Sequence, residues 1–262
     1  MQILKSIVKG YLYYELREYH SLALHIRDLE KKIKKIKSSF IRTAFKIRLR
    51  LMICVIYLYQ NKPDKAREYS HLVIKENTFF ELSIGRAYYQ LAYSYMLDDY
   101  HMSSYFFKKA YIYFSKQKND KSLEEHKINT TFTKLYWESI WEKQEPPNPH
   151  NLDEYNTYTS NYIFYHIKIG KPLVAEERLN QINLEKLSGW NLAFYWYYKG
   201  LVSNNTDFHY RSVDCFIQLD NYFHRRLPLD ELRKLGESEA ALNVLSKRGD
   251  TVEKYHKESL GK

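Results

Sequence analysis

A small residue followed four and seven positions later by apolar residues, with a serine at the middle position of the first copy, returns four times in this chain, at Ala66/Ser70/Val73, Ser103/Phe107/Ala110, Ala175/Leu179/Ile182 and Ser212/Phe216/Leu219. The small residues stand 37, 72 and 37 positions apart, and 72 is two periods of 36. Offsets of four and seven place all three side chains on one face of an α-helix, and a small leading residue lets a second helix cross it closely. Helix pairs recurring at 36 to 37 residues, slightly longer than the roughly 34 of tetratricopeptide units, stack into a solenoid. A weaker match, Ser139-Ile140-Trp141, occupies the register between the second and third copies. The pattern therefore predicts an all-α, tetratricopeptide-like right-handed solenoid of about five helix pairs, with a C-terminal capping and dimerisation helix and no β-sheet.

Breaks in the helical periodicity agree with this reading. With only 8 glycines and 6 prolines in 262 residues, the chain lacks the turns of a β-sandwich or barrel. Short interruptions fall at Asn61-Lys62-Pro63, Asp98-Asp99, Gly170-Lys171-Pro172 and Ser203-Asn204-Asn205. Pro63 and Pro172 each precede a small residue by three positions, which suits the first turn of a helix, where the missing N–H would have no partner. Pro146, Pro147 and Pro149 form the one long break. The expected organisation is an N-terminal lobe over 1–145, a Pro-rich break over 146–152, a second lobe over 153–224, and a capping and dimerisation segment over 225–262. In that last segment Leu232, Leu235, Leu242 and Leu245 form a helical stripe, expected to be uncovered and to pair two copies of the chain.

Charge is unevenly spread: residues 1–60 hold 13 Lys+Arg against 4 Asp+Glu, nine of the ten net positive charges. The densest part contains Lys31, Lys32, Lys34 and Lys35. Such a run can follow a phosphate backbone, yet no nucleic-acid-reading motif accompanies it, and solvated lysines on a helix account for it equally simply. Cys54 and Cys215 are 161 residues apart within apolar helical patterns and read as reduced core thiols. The longest apolar run, Leu51 to Tyr59, falls well short of the roughly 20 residues a bilayer requires, and the N-terminus lacks a signal-peptide pattern, so a cytoplasmic protein is expected.

Catalytic signatures for phosphate loops, dinucleotides, zinc proteases and nucleophile elbows are missing. His20 and His25 are five apart rather than four, and Glu124-Glu125-His126 reads as a solvated helix face. Neither enzymatic activity nor a cofactor or metal is expected. What stands out instead is 26 tyrosines. Tyr88, Tyr89, Tyr93, Tyr95, Tyr195, Tyr197 and Tyr198 fall on first helices of pairs, which line the concave face of a solenoid. Aromatic walls with scattered Asn suit an extended peptide, whose backbone needs paired donors and acceptors.

The ordered segments Ser94-Tyr95-Met96-Leu97-Asp98-Asp99-Tyr100, Tyr198-Lys199-Gly200-Leu201, Tyr210-Arg211-Ser212-Val213-Asp214-Cys215-Phe216, Leu227-Pro228-Leu229 and Leu235-Gly236-Glu237 resemble landmarks of the arbitrium peptide receptors of temperate phages, the AimR family. The resemblance implies a dimeric solenoid that binds a short secreted peptide in its groove and regulates the choice between lysis and lysogeny. It also implies an N-terminal helix-turn-helix domain, whose pattern has no counterpart from Met1 onward, so direct DNA binding is not expected of this chain. Peptide-contacting positions carry over to Asn161, Asn191 and Asn221. The family's earlier Asn pair falls on Val55 and Tyr59, and its peptide-binding arginine on Leu82; Arg86, one helical turn on, is placed to take over the carboxylate.

The leading expectation is thus a peptide-sensing regulatory protein of the arbitrium type, working as a homodimer or as a heterodimer with a full-length receptor, and without a membrane partner. The alternatives are a peptide-blind interaction protein that pairs with a full-length receptor, and a nucleic-acid binder using the basic segment 27–50.

Overall fold

The computed structural model describes residues 2–16, 18–76, 80–137, 157–187 and 189–247. Within them the chain forms thirteen α-helices and no strand, together with one 3-10 turn at Leu184–Lys186. The first seven are α1 (Gln2–Glu15), α2 (Tyr19–Lys34), α3 (Ser39–Tyr59), α4 (Pro63–Glu76), α5 (Glu81–Tyr95), α6 (Tyr100–Lys116) and α7 (Asp120–Tyr136). After the interval that holds Ser139 and the Pro-rich break, both outside the described residues, come α8 (Thr157–Lys168), α9 (Pro172–Asn180), α10 (Gly189–Ser203), α11 (Thr206–Gln218), α12 (Arg226–Lys234) and α13 (Glu239–Ser246). Consecutive helices pack on one another, as a solenoid requires.

The repeated small residues lie where helices cross. Ala66, Ser103, Ala175 and Ser212 are all fully buried on α4, α6, α9 and α11, the second members of their pairs. Two of them also bond across the crossing: Ser103 Oγ donates to the Ala92 carbonyl and Ser212 Oγ to the Ala193 carbonyl, each at 2.9 Å. Pro63 and Pro172 open α4 and α9.

Tight turns are made with few glycines because Asn, Asp and Lys take the left-handed position. Asn61, Lys118, Gly170, Asn204, Asp220 and Gly236 all have φ between 48° and 89°. After each, the next N–H reaches back to a carbonyl five residues earlier, for example Lys62 to Tyr57 at 2.8 Å and Asn221 to Phe216 at 2.9 Å. These are Schellman closures, which satisfy carbonyls a helix end would leave open. The following helix then starts on a capping side chain, such as Asn119 accepting from Ser122 N and Asn205 from Asp207 N.

One hydrophobic cluster runs from Met96 and Leu97 through Phe132 and Leu135 of α7 to Ile163, Phe164, Phe194, Tyr198, Phe216 and Phe223. The core therefore continues across the Pro-rich interval. The segment after α11 also folds back on the early helices: Tyr222 N donates to the Tyr59 carbonyl at 2.8 Å, Tyr93 Oη meets His224 Nε2 at 2.9 Å, and Arg226 pairs with Asp98.

The C-terminal leucine stripe needs a correction. Leu232 and Leu242 are buried within the chain, in a cluster with Val213 and Leu229 against which Tyr210 and Leu245 pack, while Leu235 is half-buried. Helices α12 and α13 close over each other and over α11, so Leu232 and Leu242 are covered within the chain and cap the solenoid.

Candidate functional site

A cavity of about 260 Å³ opens between the first members of successive pairs. Its wall comprises Tyr14 of α1, Val55, Leu58 and Tyr59 of α3, Arg86, Tyr89, Gln90 and Tyr93 of α5, Ser122, Glu125, Ile128 and Asn129 of α7, and Trp190 and Asn191 of α10, with Phe114 from α6 closing one end. Phe114 apart, the wall is built from α1, α3, α5, α7 and α10, whose side chains face inward because the second helices occupy the outer layer.

Several wall groups have polar capacity left over. Gln90 donates Nε2 to the Leu51 carbonyl at 3.1 Å, tying α5 to α3, and its buried Oε1 has no hydrogen-bond partner. The Ser122 hydroxyl is likewise buried and unpaired. Asn129 Nδ2 donates both to Tyr89 Oη at 2.7 Å and to the Glu125 carbonyl at 2.9 Å, which fixes the tyrosine between α5 and α7. Burial, reinforced by Glu125 and opposed by Arg86, pushes the Tyr89 phenol well above its ordinary range, so it keeps its proton and remains a donor. Among the described residues Arg86 makes no ion pair or side-chain hydrogen bond, although its charge reaches the Tyr11 and Tyr89 hydroxyls.

Arg86 and Asn191 of the four expected peptide contacts line this cavity, and so do Val55 and Tyr59; Leu82, half-buried on α5, does not. Asn161 and Asn221 are corrected. Asn161 is 3% exposed and donates Nδ2 to the Ile128 carbonyl at 3.1 Å, so it joins α8 to α7. Asn221 is fully buried and accepts from His224 N at 3.1 Å, shaping the turn into α12. Asn161 thus spends its amide nitrogen between two helices, and Asn221 is enclosed in the turn before α12; neither is among the residues lining the cavity.

The tyrosines divide too. Tyr89 and Tyr93 line the cavity, but Tyr88 and Tyr95 stack on Phe106 between α5 and α6, and Tyr195, Tyr197 and Tyr198 are buried. Glu124-Glu125-His126 is not a uniformly solvated face: Glu125 is on the cavity wall, and His126 is half-buried with Nε2 against the Phe107 carbonyl at 2.8 Å. Sequence reasoning missed Gln90, Ser122, Glu125, Asn129 and Trp190. The available signal was register, since Ser122, Glu125 and Asn129 recur at helical spacing on α7.

Elsewhere the basic segment is partly neutralised. Lys32 pairs with Asp28 and donates to Ser6 Oγ at 3.1 Å, while Lys31, Lys34 and Lys35 are exposed at the C-terminal end of α2, where cations complement the helix dipole. Cys54 and Cys215 are free thiols, and burial pushes the Cys54 thiol up to about 12. No helix of the described residues is long and apolar enough to cross a membrane, and no group of three or more His, Cys, Asp or Glu among them is placed to hold a metal ion.

The fold has counterparts in known proteins. The AimR transcriptional regulator-like family model matches residues 1–234. The AimR transcriptional regulator of Bacillus phage phi3T is 30% identical over 207 residues, which is 79% of this chain and 52% of that protein. An uncharacterised protein of Bacillus anthracis is 26% identical over 245 residues, 91% of this chain and 86% of its own length. The solved SeMet-phAimR chain has the same fold, with a TM-score of 0.77 at 24% identity, covering 94% of this chain and 62% of that one. The phAimR-Ligand structure also matches with a TM-score of 0.77. The chain spans about half the length of the phage AimR regulators it matches. A family match from residue 1 to 234, joined to a shared solenoid of helix pairs, places this protein in the AimR transcriptional regulator-like family.

Proposed function

We propose that this chain is a peptide-sensing regulatory protein of the arbitrium type, which takes a short linear peptide into the cavity between its first helices. The observation that carries the reading is the cavity wall, where Arg86, without a counterion among the described residues, stands with Asn191, Tyr89 and Tyr93. A peptide brings a terminal carboxylate for Arg86 and backbone groups able to pair with an amide side chain on the same wall. The family match supports this assignment, as does the fold shared with a ligand-bound AimR chain. Regulation then passes through protein partners, a second copy or a longer family member.

Calorimetry with synthetic short peptides ending in a free carboxylate tests the reading. A charge-assisted bond contributes about 1.5 to 3 kcal/mol, so Arg86→Ala weakens binding by about 10- to 150-fold. Asn191→Ala, which removes a neutral hydrogen bond of about 1 kcal/mol, weakens it about fivefold. Saturable binding indifferent to Arg86→Ala discards the carboxylate assignment. Absence of binding by every peptide discards peptide sensing and leaves the second reading, a peptide-blind protein that pairs with a full-length receptor. That reading is favoured by Val55 and Tyr59, which put an aliphatic and an aromatic side chain on the cavity wall where the resemblance implies amides.

A further inference from the structure

We infer that the outer face of α6 is a docking seam for an amphipathic helix of a different protein, one that brings apolar side chains to Met102, Tyr105 and Ile112 and carboxylates to Lys109 and Lys116. The inference stands apart from the peptide-sensing reading, because of α6 only Phe114 reaches the cavity.

Met102, Tyr105, Lys109, Ile112 and Lys116 follow one another at intervals of three, four, three and four residues. That alternation keeps side chains on one line of a helix and lets a second helix pack along it. The three large apolar members of the line stay in contact with water: Tyr105 is 51% exposed, Ile112 48% and Met102 36%. The inward face of α6 is used for packing, with Ser103, Phe106, Phe107, Ala110 and Phe114 buried. The exposed line therefore lies opposite the packed face and runs along most of the 17-residue helix.

Charge along this line identifies the partner. Helix α6 holds no carboxylate, and Asp99 just before it is occupied as the N-cap, accepting from Met102 N at 3.0 Å. Lys108, Lys109 and Lys116 make no ion pair or hydrogen bond among the described residues. Lys109 and Lys116 lie over the rings of Tyr105 and Tyr113, at 5.5 and 5.7 Å. Second helices elsewhere differ: Lys65 and Arg67 of α4 are paired with Glu68 and Asp64 of the same helix, and Glu176 of α9 with Lys199. A second copy of α6 is a poor occupant, because antiparallel pairing sets Lys109 against Lys109 and Met102 against Lys116, and parallel pairing sets each lysine against itself. A nucleic-acid backbone satisfies the lysines and leaves Met102 and Ile112 in water. Helices that lie on membranes keep their cations on the polar face, whereas here two lysines stand within the apolar line. A helix with carboxylates at those two places matches both kinds of side chain.

The test is a fluorescence-anisotropy titration of the full chain with a synthetic helix as long as α6, carrying leucine opposite Met102, Tyr105 and Ile112 and glutamate opposite Lys109 and Lys116. Saturable binding is expected, weakened at least about tenfold by Lys109→Glu with Lys116→Glu. Ile112→Ser, which removes a half-exposed aliphatic contact, is expected to weaken it about five- to tenfold. A second synthetic helix with lysine in place of the glutamates is expected to bind the doubly substituted chain better than the unaltered one, a gain that a misfolded variant does not show. The same charge change at the exposed Lys127 and Lys134 of α7 is expected to alter binding by less than about twofold.

Binding that tolerates both the lysine reversal and Ile112→Ser overturns the inference, as does an equal loss on reversing Lys127 and Lys134, which reports net charge rather than the seam. Absence of binding by the acidic helix overturns it outright. If a single-stranded oligonucleotide or phosphatidylglycerol vesicles bind instead, and reversing Lys109 and Lys116 abolishes that binding, the face belongs to a phosphate-bearing surface. Sedimentation in which Lys109→Glu with Lys116→Glu changes self-association overturns the inference in favour of a second copy.

Discussion

The pairs α5–α6 and α10–α11 are built alike and used differently. In each, a serine of the second helix bonds a carbonyl of the first, a phenylalanine four residues later is buried, and a glycine of the first helix sits where no Cβ fits. Gly85 would place a Cβ 2.8 Å from Tyr113 Cβ, and Gly200 would place one 2.6 to 2.8 Å from three ring atoms of His209. Their inner faces differ. Helix α5 turns Arg86, Tyr89, Gln90 and Tyr93 into the cavity, whereas α10 fills its inner face with Phe194, Tyr197 and Tyr198 against α8, leaving Trp190 and Asn191 of its first turn to reach the cavity. Stacking residues and cavity-lining residues thus sit on separate faces of the same helices, and one pair can be sealed while the other stays open.

The largest expected effect tests whether the two pairs are equivalent as scaffolds. Phe107→Ala and Phe216→Ala each empty a buried aromatic site at the same repeat position, and each should cost about 3 to 5 kcal/mol in denaturant unfolding. Costs differing by more than a factor of two would break the equivalence.

A smaller effect separates the scaffold from the site. Gly85→Ala and Gly200→Ala each overpack a helix crossing, costing about 1 to 3 kcal/mol, against which Ala returns up to about 1 kcal/mol of helix propensity. Gly85→Ala should be the worse of the two, because Tyr113 Cβ moves only with its backbone while the His209 ring can turn. It should also weaken peptide binding, since it shifts α5 next to Arg86, and Gly200→Ala should not. Equal binding by the two variants in calorimetry would show that the cavity is indifferent to the α5–α6 crossing.

The smallest effect is a pH dependence shared by both regions. Burial pushes the imidazoles of His126, packed on α6, and His209, packed on α10, below the ordinary 6.5. The unfolded chain takes up these protons first, so stability is complete above about pH 6.5 and declines as pH falls from there through the folded-state values. Denaturation midpoints measured between pH 7.5 and 5.5 should fall, and His126→Gln should flatten part of that fall. A flat profile for the unaltered chain would show that neither ring is held neutral by burial.

How much of this was legible beforehand depends on the kind of residue. The helix crossings were, because Ala66, Ser103, Ala175 and Ser212 carry a spacing that only stacked pairs need, and the proline and asparagine breaks fall where helices end. The candidate site was legible in part: Arg86, Asn191, Val55 and Tyr59 meet at one cavity, but Asn161 is spent on the Ile128 carbonyl and Asn221 is enclosed in the turn before α12. The same limit applies to Leu232 and Leu242, which look like an open stripe until α12 and α13 fold together.

The sequence by itself determined the period, the helix ends and the class of fold, since these follow from local backbone preference and from which side chains are small enough to lie at a crossing. Only the tertiary structure decided which polar groups are left over. Whether an amide or a charge is spent depends on what another helix brings opposite it: Asn161 of α8 meets the Ile128 carbonyl of α7, whereas Arg86 of α5 meets no counterion among the described residues.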